Sequence, residues 1–279
     1  MRLSAYIGLF FLLISSVYAS NDPIPRAGAR ALSLGNAYVG VRGDYWSLYY
    51  NPASIATISG LGMGAYVEQR YLLEEFNFGS AGVVIPIFER QAIGLEASSF
   101  GFSAYRESKA AFSYGISFLN NFSIGAKLNY ATLNIAEHGN TEAIYVDVGF
   151  NTALSEELSL GFTAYNVNQA QIETATGFME DIPTVFSAGI AFTPNEKVML
   201  VADLQKDIDH PVSFRGGIEY AFADVLQARV GVSNEPLTAS GGFGVNHNGL
   251  NLDFAVSYQE QLGYTPHVSL SYTFGQQGE

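Results

Sequence analysis

Imidazole can ligate a metal or act as a general base, so the four histidines are weighed first. His138, His210, His247 and His267 are scattered with no ligand spacing between them, and no metal or other cofactor is expected. His267 alone has hydroxyls at alternate positions, Ser269 and Ser271, but no nucleophile motif accompanies them and no enzymatic activity is expected. Gly60-Leu61-Gly62-Met63-Gly64 is glycine-rich yet lacks the Lys-Ser/Thr of a phosphate loop, and reads as a hinge. The chain has no cysteine, which excludes disulfides and thiolate metal sites. The remaining chemistry is charge set among apolar residues: Lys127, Arg215, Glu219, Arg229 and Asp253. Such charges could pair with one another to stay satisfied out of water, or form a constriction that selects ions.

The elements that would position these charges are strands. Residues 122–130 alternate Phe122, Ile124, Ala126, Leu128 and Tyr130 with Ser123, Gly125, Lys127 and Asn129. Residues 250–258 do the same with Leu250, Leu252, Phe254, Val256 and Tyr258. A period of two with one apolar and one polar face, repeated along a chain, is the pattern of a transmembrane β-barrel. Cutting at turn signals predicts fourteen strands over 61–70, 74–88, 91–101, 108–119, 121–133, 142–154, 157–166, 183–193, 196–206, 211–222, 225–234, 237–246, 249–259 and 265–274. Short turns fall at 89–90, 120, 155–156, 194–195, 223–224 and 247–248, and the intervening connections, such as 134–141 and 167–182, read as longer. Short turns in such barrels face the periplasm, which would put both ends of the barrel there.

Parity assigns the faces. Phe112, Tyr114, Ile116 and Phe118, then Ile144, Val146, Val148 and Phe150, then Leu158, Leu160 and Phe162, then Val198, Leu200 and Leu204, form sets uninterrupted by charge and are expected to face lipid. The opposite parity carries Glu68, Arg70, Glu96, Lys127, Asp147, Asp203, Arg215, Glu219, Arg229 and Asp253, so the lumen is expected to hold both signs. One strand breaks the rule: Phe76 and Phe78 are even, whereas Val83, Ile85 and Ile87 are odd. With Gly79 and Gly82 between them and Pro86 near the end, a bulge or wall kink is expected at 79–82, either as ordinary curvature or as a lateral gap for an apolar ligand.

Composition agrees with a barrel. Charged residues make up only 14% of the 279 residues, while aromatics also reach 14%, with 20 Phe, 17 Tyr and 29 Gly. Residues 1–19 combine Arg2, an apolar run over 7–14 and Val17-Tyr18-Ala19, the pattern of a signal peptide cleaved after Ala19. Its removal takes one basic residue and no acid, leaving 12 basic against 26 acidic residues and a formal charge of −14, which argues against nucleic acid as a partner. Residues 20–60 lack a sustained period of two and read as an N-terminal hatch, with Asn51 and Pro52 opening a short helical turn over 52–58. The barrel then occupies 61–274, and 275–279 is a tail.

Two motifs carry a family resemblance: Gly28-Ala29-Arg30-Ala31-Leu32-Ser33-Leu34-Gly35-Asn36-Ala37-Tyr38-Val39-Gly40, and Leu48-Tyr49-Tyr50-Asn51-Pro52-Ala53. They resemble the start of the PorV/PorQ family, itself similar to FadL-like long-chain fatty acid transporters. The chain departs from that pattern at Ser54, where the family has Gly, and at Arg42-Gly43-Asp44-Tyr45-Trp46. The resemblance implies a fourteen-stranded outer-membrane barrel with an N-terminal hatch, in which Asn51, Pro52 and Ala53 would shape an inner ligand site. The leading expectation is binding or passage of a small hydrophobic molecule by a barrel seated in outer-membrane lipid. The alternative is a PorV/PorQ-type accessory or attachment protein whose partners are components of a type IX secretion system, with no transport role. A secreted soluble β-protein is a third reading.

Overall fold

The computed structural model describes residues 24, 26–118, 121–137, 139–173 and 179–275. The expected signal peptide and its cleavage after Ala19, the turn at Asn120, His138 and the end of the tail lie outside the described residues.

The strands run β1 Gly62–Gln69, β2 Asn77–Phe88, β3 Gln91–Gly101, β4 Tyr105–Phe118, β5 Phe122–Ile135, β6 Gly139–Ala153 and β7 Leu158–Tyr165. They continue with β8 Gln171–Glu173, β9 Met179–Asp181, β10 Val185–Asn195, β11 Val198–Asp207, β12 Val212–Ala223, β13 Leu226–Asn234, β14 Leu237–His247, β15 Leu250–Gln259 and β16 Gly263–Thr273. All but β8 and β9 pair with their neighbours into a closed antiparallel barrel of fourteen strands. Closure is made by β1 against β16, from Gly62 opposite Thr273 to Glu68 opposite His267. A closed sheet leaves no unpaired edge, as a hydrocarbon environment requires. Among the described residues no helix is long and apolar enough to cross a membrane.

The faces sort as alternation dictates. Phe112, Tyr114, Leu128, Ile144, Val148, Phe162, Leu200 and Leu204 are all exposed on the outside. Glu68, Glu96, Lys127, Asp147, Asp203, Arg215, Glu219, Arg229 and Asp253 are all buried within. A cation on the outer face would cost about 2–4 kcal/mol at mid-bilayer, and Arg106 and Lys206, which share the outward parity, stand near the loop-end tips of β4 and β11.

The expected wall kink at Gly79 and Gly82 is not present. β2 pairs without a break with β1 from Val84 to Asn77 and with β3 from Phe78 to Pro86, and the register shifts only between Pro86 and Phe88, at the short-turn rim. The apparent break has a simple cause: Phe78 and Val84 both face inward, where the lumen is apolar enough to bury them. Phe76 belongs to a 3₁₀ turn over Glu74–Phe76, so β2 begins three residues later than expected. A second correction concerns connection lengths. At the end opposite the short turns only two connections are long, 70–76 and 166–184, because β4, β5 and β6 extend further than their patterns suggested. The 166–184 connection carries the small β8–β9 hairpin, whose strands are three residues each and gave no periodic signal.

The N-terminal segment lies inside the barrel. It comprises a short helix α1 at Ala29–Ser33 and 3₁₀ turns at Tyr45–Tyr49 and Ser54–Thr57. The last of these starts two residues later than the expected 52–58 helix. Asn51 Oδ1 still accepts the Ala53 amide at 3.0 Å, so the asparagine organises the approach to the turn. Leu34, Tyr38, Leu48 and Ile55 have no exposed surface, and Trp46 has 1%.

Candidate functional site

Inward-facing glycines make room for this segment. A Cβ on Gly94 would stand 2.5 Å from a Leu48 methyl, on Gly125 2.4 Å from the Pro52 carbonyl carbon, and on Gly161 2.0 Å from the Val39 oxygen. On Gly217 it would stand 2.6 Å from Leu34 Cα, and on Gly231 2.1 Å from the Gly35 nitrogen. Contacts so close require residues without side chains. Together with Gly64, Gly82, Gly115, Gly149, Gly189 and Gly242, these positions form a glycine belt around most of the inner wall. On the segment itself Gly28 adopts φ 110° with the Trp46 ring 2.6 Å from where its Cβ would be, so both conformation and space demand glycine.

Polar contacts hold the segment to that belt. Asn51 donates to Val39 O at 3.0 Å and to Phe150 O at 2.9 Å, joining two parts of the segment to β6. Asp203 accepts the amides of Tyr38 and Val39 at 2.8 and 3.0 Å. Arg30 reaches from α1 to Glu219 on β12 at 2.6 Å and to Asp44 at 2.6 Å. Glu219 also meets Arg229 on β13, which reaches Asp253 on β15 at 2.7 Å. Three of the five singled-out charges therefore come together around a fourth, Arg30, which the sequence reading had not placed among them. Lys127 stands apart on β5. It pairs with Glu96 at 2.9 Å, donates to Leu48 O at 2.6 Å, and shares Glu96 with Lys109, also at 2.9 Å. Arg215 lies four residues from Glu219 on the same face of β12, opposite Asp203, and lines a different cavity. Buried charges gain stability only when paired in this way.

Among the described residues, three cavities bear on the lumen. At the end bearing the two long connections, a cavity of about 230 Å³ lies between the wall and the 166–184 connection. Its apolar lining includes Phe78, Phe100, Leu133, Tyr145, Tyr165, Ile172 and Ile182, with Lys109 among its few cationic or acidic groups. Arg70 caps the Phe78 and Phe100 rings at 5.6 and 4.7 Å. Tyr145 and Tyr165 join hydroxyl to hydroxyl at 2.6 Å, which leaves their ring faces for apolar contact. Beside it, a more polar cavity of about 100 Å³ is lined by Arg26, Glu68, Arg70, Arg215, Ser257 and His267, among others. Tyr71, in the turn after β1, also lines this cavity; burial raises its phenol pKa, so it stays neutral and donates to Gln259 at 3.3 Å. At the short-turn end a polar cavity of about 330 Å³ is lined by Arg30, Arg42, Asp44, Lys197 and Glu219, among others. The buried core of the segment stands between the two ends.

Asn51, Pro52 and Ala53 line none of these cavities. They are buried against β5 and β6, and their role in the described residues is to seat the segment. Of the cavity aromatics, Phe78 entered the sequence reading only as part of the parity break on β2, and the others lie on separate strands whose spacing does not tie them together. His267 is not joined to Ser269 or Ser271, its neighbours along one strand. Its partners come from the adjacent strands β1 and β15.

No protein-family model matches the chain, and no curated protein matches it. Several solved structures do. A FadL homologue from Pseudomonas aeruginosa superposes with a TM-score of 0.66 at 13% identity, over 90% of this chain and 99% of that one. The P. putida toluene transporter TodX gives 0.66 at 11% identity, over 89% and 99%. The CymD monoaromatic hydrocarbon channel gives 0.67 at 12% identity, over 89% and 98%. At these identities the likeness is one of fold: the chain is a fourteen-stranded antiparallel transmembrane β-barrel of FadL-like architecture.

Proposed function

We propose that the protein is an outer-membrane barrel that takes up a small hydrophobic molecule at its loop end and passes it inward. The observation that carries this reading is the apolar, aromatic-lined cavity of about 230 Å³ above a lumen otherwise filled by the N-terminal segment. The solved barrels of the same fold support it, being described as a toluene transporter and a monoaromatic hydrocarbon channel. The loop end, with its cavity, faces the exterior, and the short-turn end, which holds both barrel termini, faces the periplasm. The signal peptide expected over residues 1–19 fits this location.

Electrostatics and packing close the lumen in the conformation described. Passage therefore requires the N-terminal segment to shift as a unit, and its hydrogen bonds and ion pairs to the wall are the contacts that must be exchanged. In this reading Asn51, Pro52 and Ala53 belong to a hatch that gates the site, and residues 20–60 form that hatch. The accessory role in type IX secretion has no comparable support from the geometry.

The test is purification from native membranes in mild detergent, mass spectrometry of bound small molecules, and uptake of toluene and of a medium-chain fatty acid by proteoliposomes. Retention of an apolar compound, with uptake lost in Phe78→Ala/Phe100→Ala, is the expected result. Absence of both a bound compound and uptake, with a secreted protein co-purifying in stoichiometric amount, would shift the function to partner attachment.

A further inference from the structure

Three neighbouring strands bring a hydroxyl, an imidazole and a carboxylate into line on the inner wall. Ser257 of β15 stands with its Oγ 2.9 Å from His267 Nε2 on β16. The other ring nitrogen, His267 Nδ1, is 3.0 Å from Glu68 Oε2 on β1, its direct cross-strand partner. Tyr66 reinforces the inner link: its hydroxyl lies 2.7 Å from the same Nδ1 and donates to Glu68 Oε2. Arg70 holds the other carboxylate oxygen at 2.6 Å. With the acceptors gathered at Nδ1, that nitrogen carries the proton, which leaves the Nε2 lone pair directed at Ser257. This is the geometry and tautomer by which a serine is activated as a nucleophile.

The same residues open onto space. Ser257, His267 and Glu68 all line the polar cavity of about 100 Å³ near the loop end, beside the apolar cavity. Arg26, Arg70 and Arg215 line it too, against the carboxylates of Glu68 and Glu235, so cations outnumber acids where the oxyanion of an acyl transfer would develop. A network serving only to fill the wall would have no need of a cavity onto which the hydroxyl, the imidazole and the carboxylate all open.

We propose that Ser257, His267 and Glu68 form a serine-hydrolase centre that cleaves small carboxylic esters at the barrel mouth, an activity separate from passage. Ser257 Oγ attacks the ester carbonyl carbon while its proton passes to His267 Nε2. The bond from that carbon to the alkoxy oxygen breaks, and the imidazolium returns the proton to the leaving alcohol. Water, deprotonated by the same nitrogen, then attacks the acyl-serine, releasing the acid and restoring the hydroxyl. Ester and water thus become acid and alcohol. Glu68 is a positioning residue that orients the ring.

The experiment uses the full chain, folded in detergent and verified by heat-modifiable migration, and a biotin-tagged fluorophosphonate, with 4-nitrophenyl butyrate as ester. Labelling that maps to Ser257 and vanishes on boiling is the expected result. Ser257→Ala should abolish it, and His267→Gln should slow it by about a hundredfold, the scale of general-base assistance. Glu68→Asp should retain more ester hydrolysis than Glu68→Gln. A folded wild-type protein that takes no label, or takes it at another residue, overturns the proposal. Should the variants fail to fold, the wild type decides: label at Ser257 of the folded chain that is lost when 4-nitrophenyl butyrate is present in excess supports the centre, and label unaffected by the ester overturns it.

Discussion

Placing side chains on the glycine belt asks how firmly the wall holds its N-terminal segment. Gly125→Val sets a Cβ 2.4 Å from the Pro52 carbonyl carbon, and since β5 is paired on both sides, the segment must give way. Overpacking of this kind costs about 1–3 kcal/mol. Against it stands the burial of Leu34, Tyr38, Trp46, Leu48 and Ile55, each contributing about 1.5–3 kcal/mol, or roughly 8–15 kcal/mol together. A single substitution should therefore shift the segment locally and leave the lumen closed. Gly161→Val and Gly231→Val press on Val39 and Gly35, at separate points, so the three clashes add to about 3–9 kcal/mol and approach the holding energy. Single-channel recording in planar bilayers is the assay. The single variants should be silent, whereas the triple variant should show steady openings and a shift in Trp46 fluorescence toward that of a wetter indole. Openings in any one single variant, or a silent and spectrally unchanged triple, would refute this balance.

The charge clusters give further tests. Arg229→Ala leaves Glu219 and Asp253 buried with one cation removed and should destabilise the barrel by about 3–5 kcal/mol in denaturant titration, while Lys197→Ala on the exposed rim should change little. Arg30→Ala unties α1 from Glu219, and should raise proteolysis of the N-terminal segment with a smaller loss of barrel stability, because Glu219 keeps Arg229. Leu128→Arg, on the outer face mid-way along β5, should lower folding yield in lipid by the equivalent of about 2–4 kcal/mol, whereas yield in lipid-free detergent should fall less. Phe78→Ala, which empties one wall of the apolar cavity, should weaken toluene binding by about tenfold, read from the quenching of Trp46 that Phe78 reaches through Tyr66.

Strand positions and the two faces were legible because each depends on neighbours two residues away. Leu128 declares its face through Ala126 and Tyr130, with no knowledge of what lies across the sheet. The misplaced kink shows where that logic stops: Phe78 is apolar but inward, since Tyr66 and Arg70 wait for it there, and neither contact is written in the spacing of β2. The belt glycines were visible only as a high glycine count, because the residues they accommodate lie up to about two hundred positions away in the chain. The same holds for Arg30 with Glu219 and for His267, whose partners sit on other strands. Asn51-Pro52-Ala53 stood out as a motif, but the motif records the fit between segment and wall.

The barrel closes by joining β1 to β16, so the last pairing links residues separated by nearly the whole length of the sheet. Loop-closure entropy makes such a pairing slow and late. The segment enclosed by that ring bonds or packs against strands from β1 to β16, including Ser269 Oγ, which accepts the Ala29 amide at 3.1 Å. A chain that folded its wall first would have to thread α1 and two 3₁₀ turns into a finished ring. Wrapping the strands around the segment would avoid this, with the N-terminal segment serving as a mandrel during assembly. Chains lacking residues 27–60 should then fail chiefly in the rate and fidelity of closure, even in lipid that tolerates the finished barrel.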